Sequence, residues 1–359
     1  MNEPIFIARQ DTLEQEILPA HWLSHYKLFG EESYTFQDKE IWKKLCMSRA
    51  AANDRDMHAE ALEEMLTTFS AEHTGKWMLL IYGLDAAVLE GLATMAAVAG
   101  NGTAMAAVAG NALLMHAIIN SETAMRAIAN SETAMQRIAN STTAMDAIGG
   151  SKIARDAVHA SPYYDAKIKE NDMAIAKLVV GFANLESARY SGCAGMAADS
   201  TAMTAVAASS TAMTAVAASG VALKAIAQAY KKTANMLQFL KAVNASDTLV
   251  KRIYSTLTNA TALFGAAQLG SQDSVENANS WATTSAAPNA FLACACGYYG
   301  SSSDSVSVTY NGTVIAQKKT GTKQPGSVAS TNVNAITMAP STFTENGDGY
   351  LAVQKFTAK

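Results

Sequence analysis

A ten-residue period in the middle of the chain restricts its fold more than any other feature. From about residue 83 to 230 the sequence repeats a unit whose clearest copies are Ser121–Asn130 and Ser131–Asn140. The eighth residue of each unit is aliphatic from Val88 to Leu178 without a slip. The pattern breaks near Gly181–Gly195 and returns two residues out of phase. A period held over this length indicates a repeat architecture. The fifth residue is Met in six consecutive units: Met95, Met105, Met115, Met125, Met135 and Met145.

Each unit is predicted to be one short capped helix. Ser at the first position can accept a hydrogen bond from the free amides of the helix start, and Glu at the second favours the positive end of the helix dipole. The following Ala-Met-x-Ala-Ile-Ala is a good helix-forming sequence that puts Met and Ile on one face. Asn or Gly at the tenth position predicts a left-handed residue after the helix. Helices of about eight residues are marginal alone, so the units must stack, as in a solenoid or stalk.

Two other architectures explain the repeat less well. One continuous helix would need about 3.33 residues per turn to keep a ten-residue stripe on one side, which is severe overwinding. A β-solenoid requires strand-forming residues and period-2 alternation, whereas Ala and Met are poor strand formers.

The regions on either side of the repeat differ from it. Residues 1–82 have the amphipathic pattern of a helical attachment domain, and residues 231–282 continue as helix and then as a Ser/Asn/Thr-rich linker. Residues 283–359 switch to strand periodicity, with an Asn311-Gly312 pair that predicts a two-residue hairpin turn. The predicted fold class is therefore α+β and multidomain: an N-terminal helical domain, an α-helical solenoid or stalk of decapeptides at 83–230, and a C-terminal all-β, sandwich-like domain.

Composition argues against several classes of partner. The formal net charge is −4 and no run of Lys or Arg occurs, so nucleic acid binding is not expected. The uncharged stretches Gly91–Ser121 and Ser200–Leu223 are regularly interrupted by Gly, Asn, Ser and Thr, so no membrane span is expected. The first residues lack the pattern of a signal peptide. The four cysteines have no CxxC spacing and are expected to be reduced.

A search for catalytic or metal-binding patterns leads to the expectation that the protein is not an enzyme and holds no cofactor or metal. No GxSxG, GxxxxGK[ST], HExxH or GxGxxG sequence occurs. His21 and His25 have the i, i+4 spacing of zinc ligands, but no further ligand follows at a suitable distance, and His116 is expected to be exposed. The Met column could bind a soft metal, although a packing seam is the favoured interpretation.

Other candidate sites are weaker. Asp304, Glu345 and Asp348 could hold Ca²⁺ or form the carboxylate pair of a glycan depolymerase, but loop acids at hairpins are usually solvated. Cys294 and Cys296 lie two apart on a predicted strand, where buried, unreactive thiols are usual. Four threonines resemble the regular columns of ice-binding faces but do not persist in the earlier repeats: Thr201, Thr204, Thr211 and Thr214.

The layout resembles that of bacteriophage tail fibres and other receptor-binding virion appendages. The resemblance lies in the order of the parts: a helical attachment region, repeats such as Ser210-Thr-Ala-Met-Thr-Ala-Val-Ala-Ala-Ser219, and a Gly/Ser/Tyr-rich β-terminus. It implies a homo-oligomer, commonly a homotrimer, that is assembled in the host cytoplasm and resides in the virion. It also implies that the N-terminal domain docks to other virion proteins, while the C-terminal domain contacts a host cell-surface receptor.

A cellular α-solenoid scaffold that binds a protein partner along a concave face is the alternative hypothesis. It predicts that the variable sixth position of the repeat, at Arg126, Gln136 and Asp146, carries the binding.

Overall fold

The computed structural model describes residues 95–229, 233–273, 280–283, 289–298, 305–319, 322–323, 328–338, 341–346 and 349–359. These residues belong to two compact units, the first ending at Ile168 and the second beginning at Lys169. The fold is α+β, with short helices in the middle of the chain and antiparallel sheets at its C-terminus. The predicted N-terminal helical domain, 1–82, lies outside the described residues.

The first unit consists of short helices that begin about ten residues apart. From Gly102 to His159, each helix starts one residue after the Ser or Asn at the first position of a sequence repeat. The helices are α1 (Met95–Gly100), α2 (Gly102–Gly110), α3 (Ala112–Ile118), α4 (Glu122–Ala129), α5 (Glu132–Ala139), α6 (Thr142–Gly150), α7 (Lys152–His159) and α8 (Tyr164–Lys167).

The predicted serine caps are confirmed. Ser121, Ser131, Ser141 and Ser151 have extended backbones, and each Oγ accepts a hydrogen bond from the amide three residues later. This bond satisfies one of the amides that a helix start leaves without an intrahelical partner.

The predicted left-handed residue at the tenth position is wrong. Asn130 has φ −89° and ψ 3°, and Asn140 has φ −96° and ψ 1°. The Asn130 amide bonds back to Arg126 and Ile128, so this residue completes the last helical turn. The chain changes direction at the next residue, because the extended serine that caps the following helix makes the turn. A left-handed residue is therefore not needed.

Helices three places apart contact each other in this unit: α1 with α4, α2 with α5, α3 with α6, α4 with α7 and α5 with α8. The fifth and eighth positions of the ten-residue repeats are fully buried in these contacts, from Met105 and Val108 to Met145 and Ile148. The Ala residues before each Met are buried as well, such as Ala124 and Ala134, and their small side chains permit close approach of the helices.

The capping serines also connect each helix to the one three places earlier. Ser131 Oγ donates to the Ala99 carbonyl at 2.7 Å, and Ser151 Oγ donates to the Ile119 carbonyl at 2.7 Å. Ser141 and Ser161 make the same bond to Ala109 and Ala129, in each case 32 residues earlier in the chain. Each acceptor lies at the ninth position of its unit, where the end of a helix leaves carbonyls without intrahelical partners. One hydroxyl therefore satisfies a donor and an acceptor on two different helices.

Replacing a buried capping serine that also bonds to an earlier helix should lower the free energy of unfolding more than replacing a serine on the surface. Ser151 is 7% exposed, so Ser151→Ala leaves the Ile119 carbonyl and the Ala154 amide without these partners in a buried position. We expect a loss of about 1–3 kcal/mol in the free energy of unfolding, measured by chemical denaturation followed by circular dichroism.

The matched control is Ser210→Ala, at the exposed first residue of a helix in the second unit. It should change the free energy of unfolding by less than about 0.5 kcal/mol. Equal losses of unfolding free energy in the two variants would show that the two hydrogen bonds of the Ser151 hydroxyl do not add to stability.

The second unit begins with helices in the same pattern. Its helices are α9 (Asp172–Phe182), α10 (Cys193–Ala198), α11 (Ser200–Ala208), α12 (Ser210–Ala218), α13 (Gly220–Gln228), α14 (Thr233–Asn244) and α15 (Asp247–Asn259). Contacts again join helices three places apart: α9 with α12, α10 with α13, α11 with α14 and α12 with α15. Within the described range, no single helix has the length and apolarity to cross a membrane; α11 and α12 pass that test only as a pair bent by 105°.

The C-terminal strands form two sheets. The five-stranded sheet has the order β1-β9-β3-β6, with β7 also paired to β3, and the four-stranded sheet has the order β2-β8-β4-β5. All pairs are antiparallel except β3 with β6. The strands are β1 (Phe264–Asp273), β2 (Ser280–Thr283), β3 (Ala290–Tyr298), β4 (Ser305–Tyr310), β5 (Thr313–Lys319), β6 (Thr322–Lys323), β7 (Val333–Met338), β8 (Ser341–Asn346) and β9 (Gly349–Ala358).

The predicted hairpin is confirmed, and sheet structure begins earlier than the sequence indicated. Asn311 and Gly312 join β4 to β5 with φ of 48° and 75°, the left-handed geometry of a two-residue hairpin turn. β1 lies inside 231–282, where the sequence predicted helix and linker, and β2 begins inside that range and ends at Thr283. β1 lacks clear alternation, and its place in the sheet comes from pairing along its length with β9, which is distant in sequence.

Candidate functional site

The most specific polar contacts of the second unit lie where its last helices meet the five-stranded sheet. α13 contacts β3 and β9, α14 contacts β7, and α15 contacts β1 and β7. The sheet therefore packs against three consecutive helices, in addition to its chain connection to the last of them.

Asn244, the last residue of α14, makes a polar contact with the sheet. Its side chain is 4% exposed; Nδ2 donates to the Ile336 carbonyl at 2.7 Å and to the Leu240 carbonyl at 2.8 Å. Its Oδ1 accepts from the Ile336 amide at 3.0 Å. One buried amide side chain thus binds both backbone groups of a residue in β7.

Tyr254 on α15 makes a second connection. Its hydroxyl donates to the Val328 carbonyl at 2.7 Å and lies 3.0 Å from Gln354 Oε1 in β9. Its ring meets Phe356 edge-to-face, with centroids 5.7 Å apart. The end of the chain is also tied back, because the Lys359 amide donates to the Leu263 carbonyl at 2.9 Å. These bonds fix the orientation of the sheet on the helices.

The break in the repeat is held by polar contacts that the sequence did not single out. Lys177 is 1% exposed, and its Nζ donates to the Ser187 carbonyl at 3.2 Å. Asp172 Oδ1 accepts from the Cys193 amide at 3.1 Å, and a Cβ on Gly192 would lie 2.2 Å from Asp172 Oδ2. The only signal in the sequence was the interruption of the period itself, which marks the segment but not its contacts.

The hydrogen-bonded pair of Tyr190 and Asp199 has shifted pKa values. The Tyr190 hydroxyl donates to Asp199 Oδ2 at 2.8 Å, and Asp199 Oδ1 caps α11 by accepting from the Thr201 and Ala202 amides. The hydrogen bond from Tyr190 lowers the pKa of Asp199, with smaller contributions from the cap. Burial, followed by the Asp199 contact, raises the pKa of Tyr190.

The histidine, cysteine and threonine candidates that the structure describes are each exposed, buried or bonded to their own helix. His116 is exposed, as predicted. Cys294 is buried in β3, and Cys193 is a buried thiol whose pKa is raised by burial and by Asp172. Thr204 and Thr214 each donate to the carbonyl four residues earlier.

The acidic and histidine candidates are not brought together in the part of the chain that the structure describes. His21, His25, Asp304 and Asp348 lie outside it, and the backbone of Glu345 pairs with Val306 in the four-stranded sheet. No group of three or more His, Cys, Asp or Glu residues among the described positions is arranged to hold a metal ion.

No protein-family model matches this chain, and neither does any curated protein sequence.

The Met column can be tested as a packing seam. Met135 is fully buried, so Met135→Ala should cost about 2–5 kcal/mol of unfolding free energy through the cavity that it leaves. Met135→Leu keeps most of the volume and should cost less than about 1.5 kcal/mol in the same denaturation experiment. A loss for Leu as large as that for Ala would contradict the packing role and favour a function of the thioether itself.

The Tyr190–Asp199 bond should make part of the stability depend on acid pH. Because the folded-state pKa of Asp199 is lowered, its stabilising effect is present above the carboxylate's ordinary range near 4 and is lost as the pH falls through the folded-state value. In Tyr190→Phe the main cause of the shift is gone. We therefore expect the thermal midpoint of this variant to fall less than that of wild type between pH 7 and about 3.

Asp199→Asn is the matched control, since it keeps an oxygen that can cap α11 but cannot titrate. It should show the same reduced acid sensitivity. If both variants lose stability with acid as steeply as wild type, the Asp199 carboxylate is not a source of the pH dependence.

Proposed function

We propose that this chain is a structural virion protein, a bacteriophage tail fibre or tail-associated appendage in which stacked helices form a spacer and the C-terminal sheets recognise the host surface. In this proposal the helices are an α-solenoid with three helices per turn, and the sheets are a β-sandwich. The protein acts without catalysis as a homo-oligomer, commonly a trimer, in the virion.

The observation that carries the proposal is the way the sheets are held. Asn244 binds β7 and Tyr254 binds Gln354 of β9, and three consecutive helices contact the five-stranded sheet. A recognition domain at the end of a spacer transmits its orientation only if it is fixed to the last elements of that spacer. Buried hydrogen bonds of this kind resist rotation, because breaking them leaves desolvated polar groups behind.

The helix contacts favour a spacer over a scaffold with one binding face. Arg126, Gln136 and Asp146 lie on α4, α5 and α6, whereas each helix contacts the helix three places away. In a solenoid with three helices per turn, these positions belong to three different stacks and face different directions. The 105° bend between α11 and α12 in the second unit is consistent with such turns. A partner on one side would instead contact residues thirty apart, such as Arg126 and Asp156.

The test is the molar mass and shape of the full chain in solution, from light scattering combined with small-angle X-ray scattering. We expect about three times the chain mass of 37.7 kDa and the scattering of an elongated particle. A compact or curved monomer would contradict the fibre and favour the scaffold.

The recognition role needs its own experiment on the virion. Antibodies raised against the peptide of residues 349–359 should label the distal end of an appendage in electron micrographs and should block adsorption to host cells. Antibodies against the repeat peptide of residues 121–140 are the control, since they should label the appendage shaft. Labelling of the capsid, or adsorption unaffected by the first antibody, would contradict a C-terminal recognition domain.

A further inference from the structure

In the part of the chain that the structure describes, the outer edge of β7 is bonded by side chains and pairs with no strand. Among the described strands, β7 pairs only with β3, in an antiparallel register that matches Ile336 with Ala293. Its other edge would ordinarily present unpaired amides and carbonyls, which are a template for pairing with a further strand.

Asn244 supplies to Ile336 the bonds that such a strand would supply. In an antiparallel hydrogen-bonded pair, the two facing residues exchange both of their backbone bonds. The Asn244 side chain does the same, with Nδ2 donating to the Ile336 carbonyl at 2.7 Å and Oδ1 accepting from its amide at 3.0 Å. Both residues are buried, so water does not replace these bonds.

The next outward position on the same edge is closed in a similar way. Outward-directed backbone groups recur every second residue along a strand, so Met338 follows Ile336 on this edge. The Met338 carbonyl accepts a hydrogen bond from Ser341 Oγ, and the Thr337 hydroxyl lies 2.6 Å from the same Ser341 oxygen. Thr337 and Ser341 are both buried. Two successive outward positions are thus occupied by side chains that lie outside β7.

We propose that Asn244, with Ser341, takes the place of a neighbouring strand on the five-stranded sheet and prevents the β7 edge from pairing with a second copy of this chain. A second copy is the occupant because it carries the same edge, so two opened β7 strands pair antiparallel about a two-fold axis, each supplying the bonds that the other lacks. This assignment concerns the sheet alone and does not depend on the virion proposal.

The test compares two full-length variants that weaken the same helix–sheet contact in different ways. Asn244→Leu has a similar size but removes both bonds to Ile336, and so leaves the Ile336 amide and carbonyl without these partners. Tyr254→Phe removes the bonds to Val328 and Gln354 and leaves the edge covered. Sedimentation velocity over a range of concentrations measures the mass of each variant relative to wild type.

We expect the mass of Asn244→Leu to rise with concentration to roughly twice that of wild type, as mass action requires for pairing of copies. Tyr254→Phe should keep the wild-type mass at every concentration. In hydrogen exchange, the Ile336 amide of Asn244→Leu should exchange faster than in wild type at low concentration and regain protection as the copies associate.

Asn244→Asp keeps the test valid if the leucine variant fails to fold. The carboxylate still accepts from the Ile336 amide but cannot donate to its carbonyl, so association weaker than that of the leucine variant is expected. The proposal is overturned if the folded Asn244 variants keep the wild-type mass, or if Tyr254→Phe associates to the same extent.

Discussion

The serine hydroxyls at the first positions of the repeats, from Ser131 to Ser161, are the interaction on which the helical part of the structure depends. A helix leaves four amides and four carbonyls without intrahelical partners, so in helices of eight or nine residues the ends outweigh the middle. Ser151 Oγ accepts from the Ala154 amide of its own helix and donates to the Ile119 carbonyl of the helix three places earlier. One hydroxyl therefore both caps its own helix and bonds it to another helix. These two bonds help to stabilise helices that are too short to be stable alone.

Side-chain packing between the helices adds to the hydrogen bonds of the serine hydroxyls. From Met105 to Ile148 the fifth and eighth positions are fully buried, and the alanines around them allow close backbone approach. The same arrangement tolerates exceptions. Arg155 occupies the fifth position where earlier units have Met, and its Nη1 donates to the Gly149 carbonyl at 2.6 Å. A cation is accommodated in this seam because its burial is offset by a hydrogen bond to a helix end.

Side chains also satisfy backbone groups of neighbouring elements where the helices contact the sheet. Thr256 Oγ1 donates to the Ala217 carbonyl of α12 at 2.7 Å, a side-chain bond from one helix to another like those of the serines. Tyr254 of the same helix bonds to Gln354 in β9. α15 thus belongs both to the helix packing and to the support of the sheet. This continuity is what makes a spacer with a fixed terminal domain a physically coherent proposal.

The sequence by itself determined the local structure, because helix starts, helix length and the hairpin turn depend on residues close together in the chain. The capping serines at the helix starts and the Asn311-Gly312 hairpin turn were predictable for this reason. The backbone at Asn130 was mispredicted because the next residue, as a cap, already makes the turn.

Only the tertiary structure decided which helices contact each other and which strands pair. A period of ten does not say that partners are three helices apart, since that depends on the angle between successive helices. β1 has no strong pattern of its own and is defined by its register with β9. Asn244 and Ile336 are 92 residues apart, and nothing in the sequence around either predicts that one buried amide binds the other's backbone. Such contacts follow from packing geometry, which local sequence does not encode.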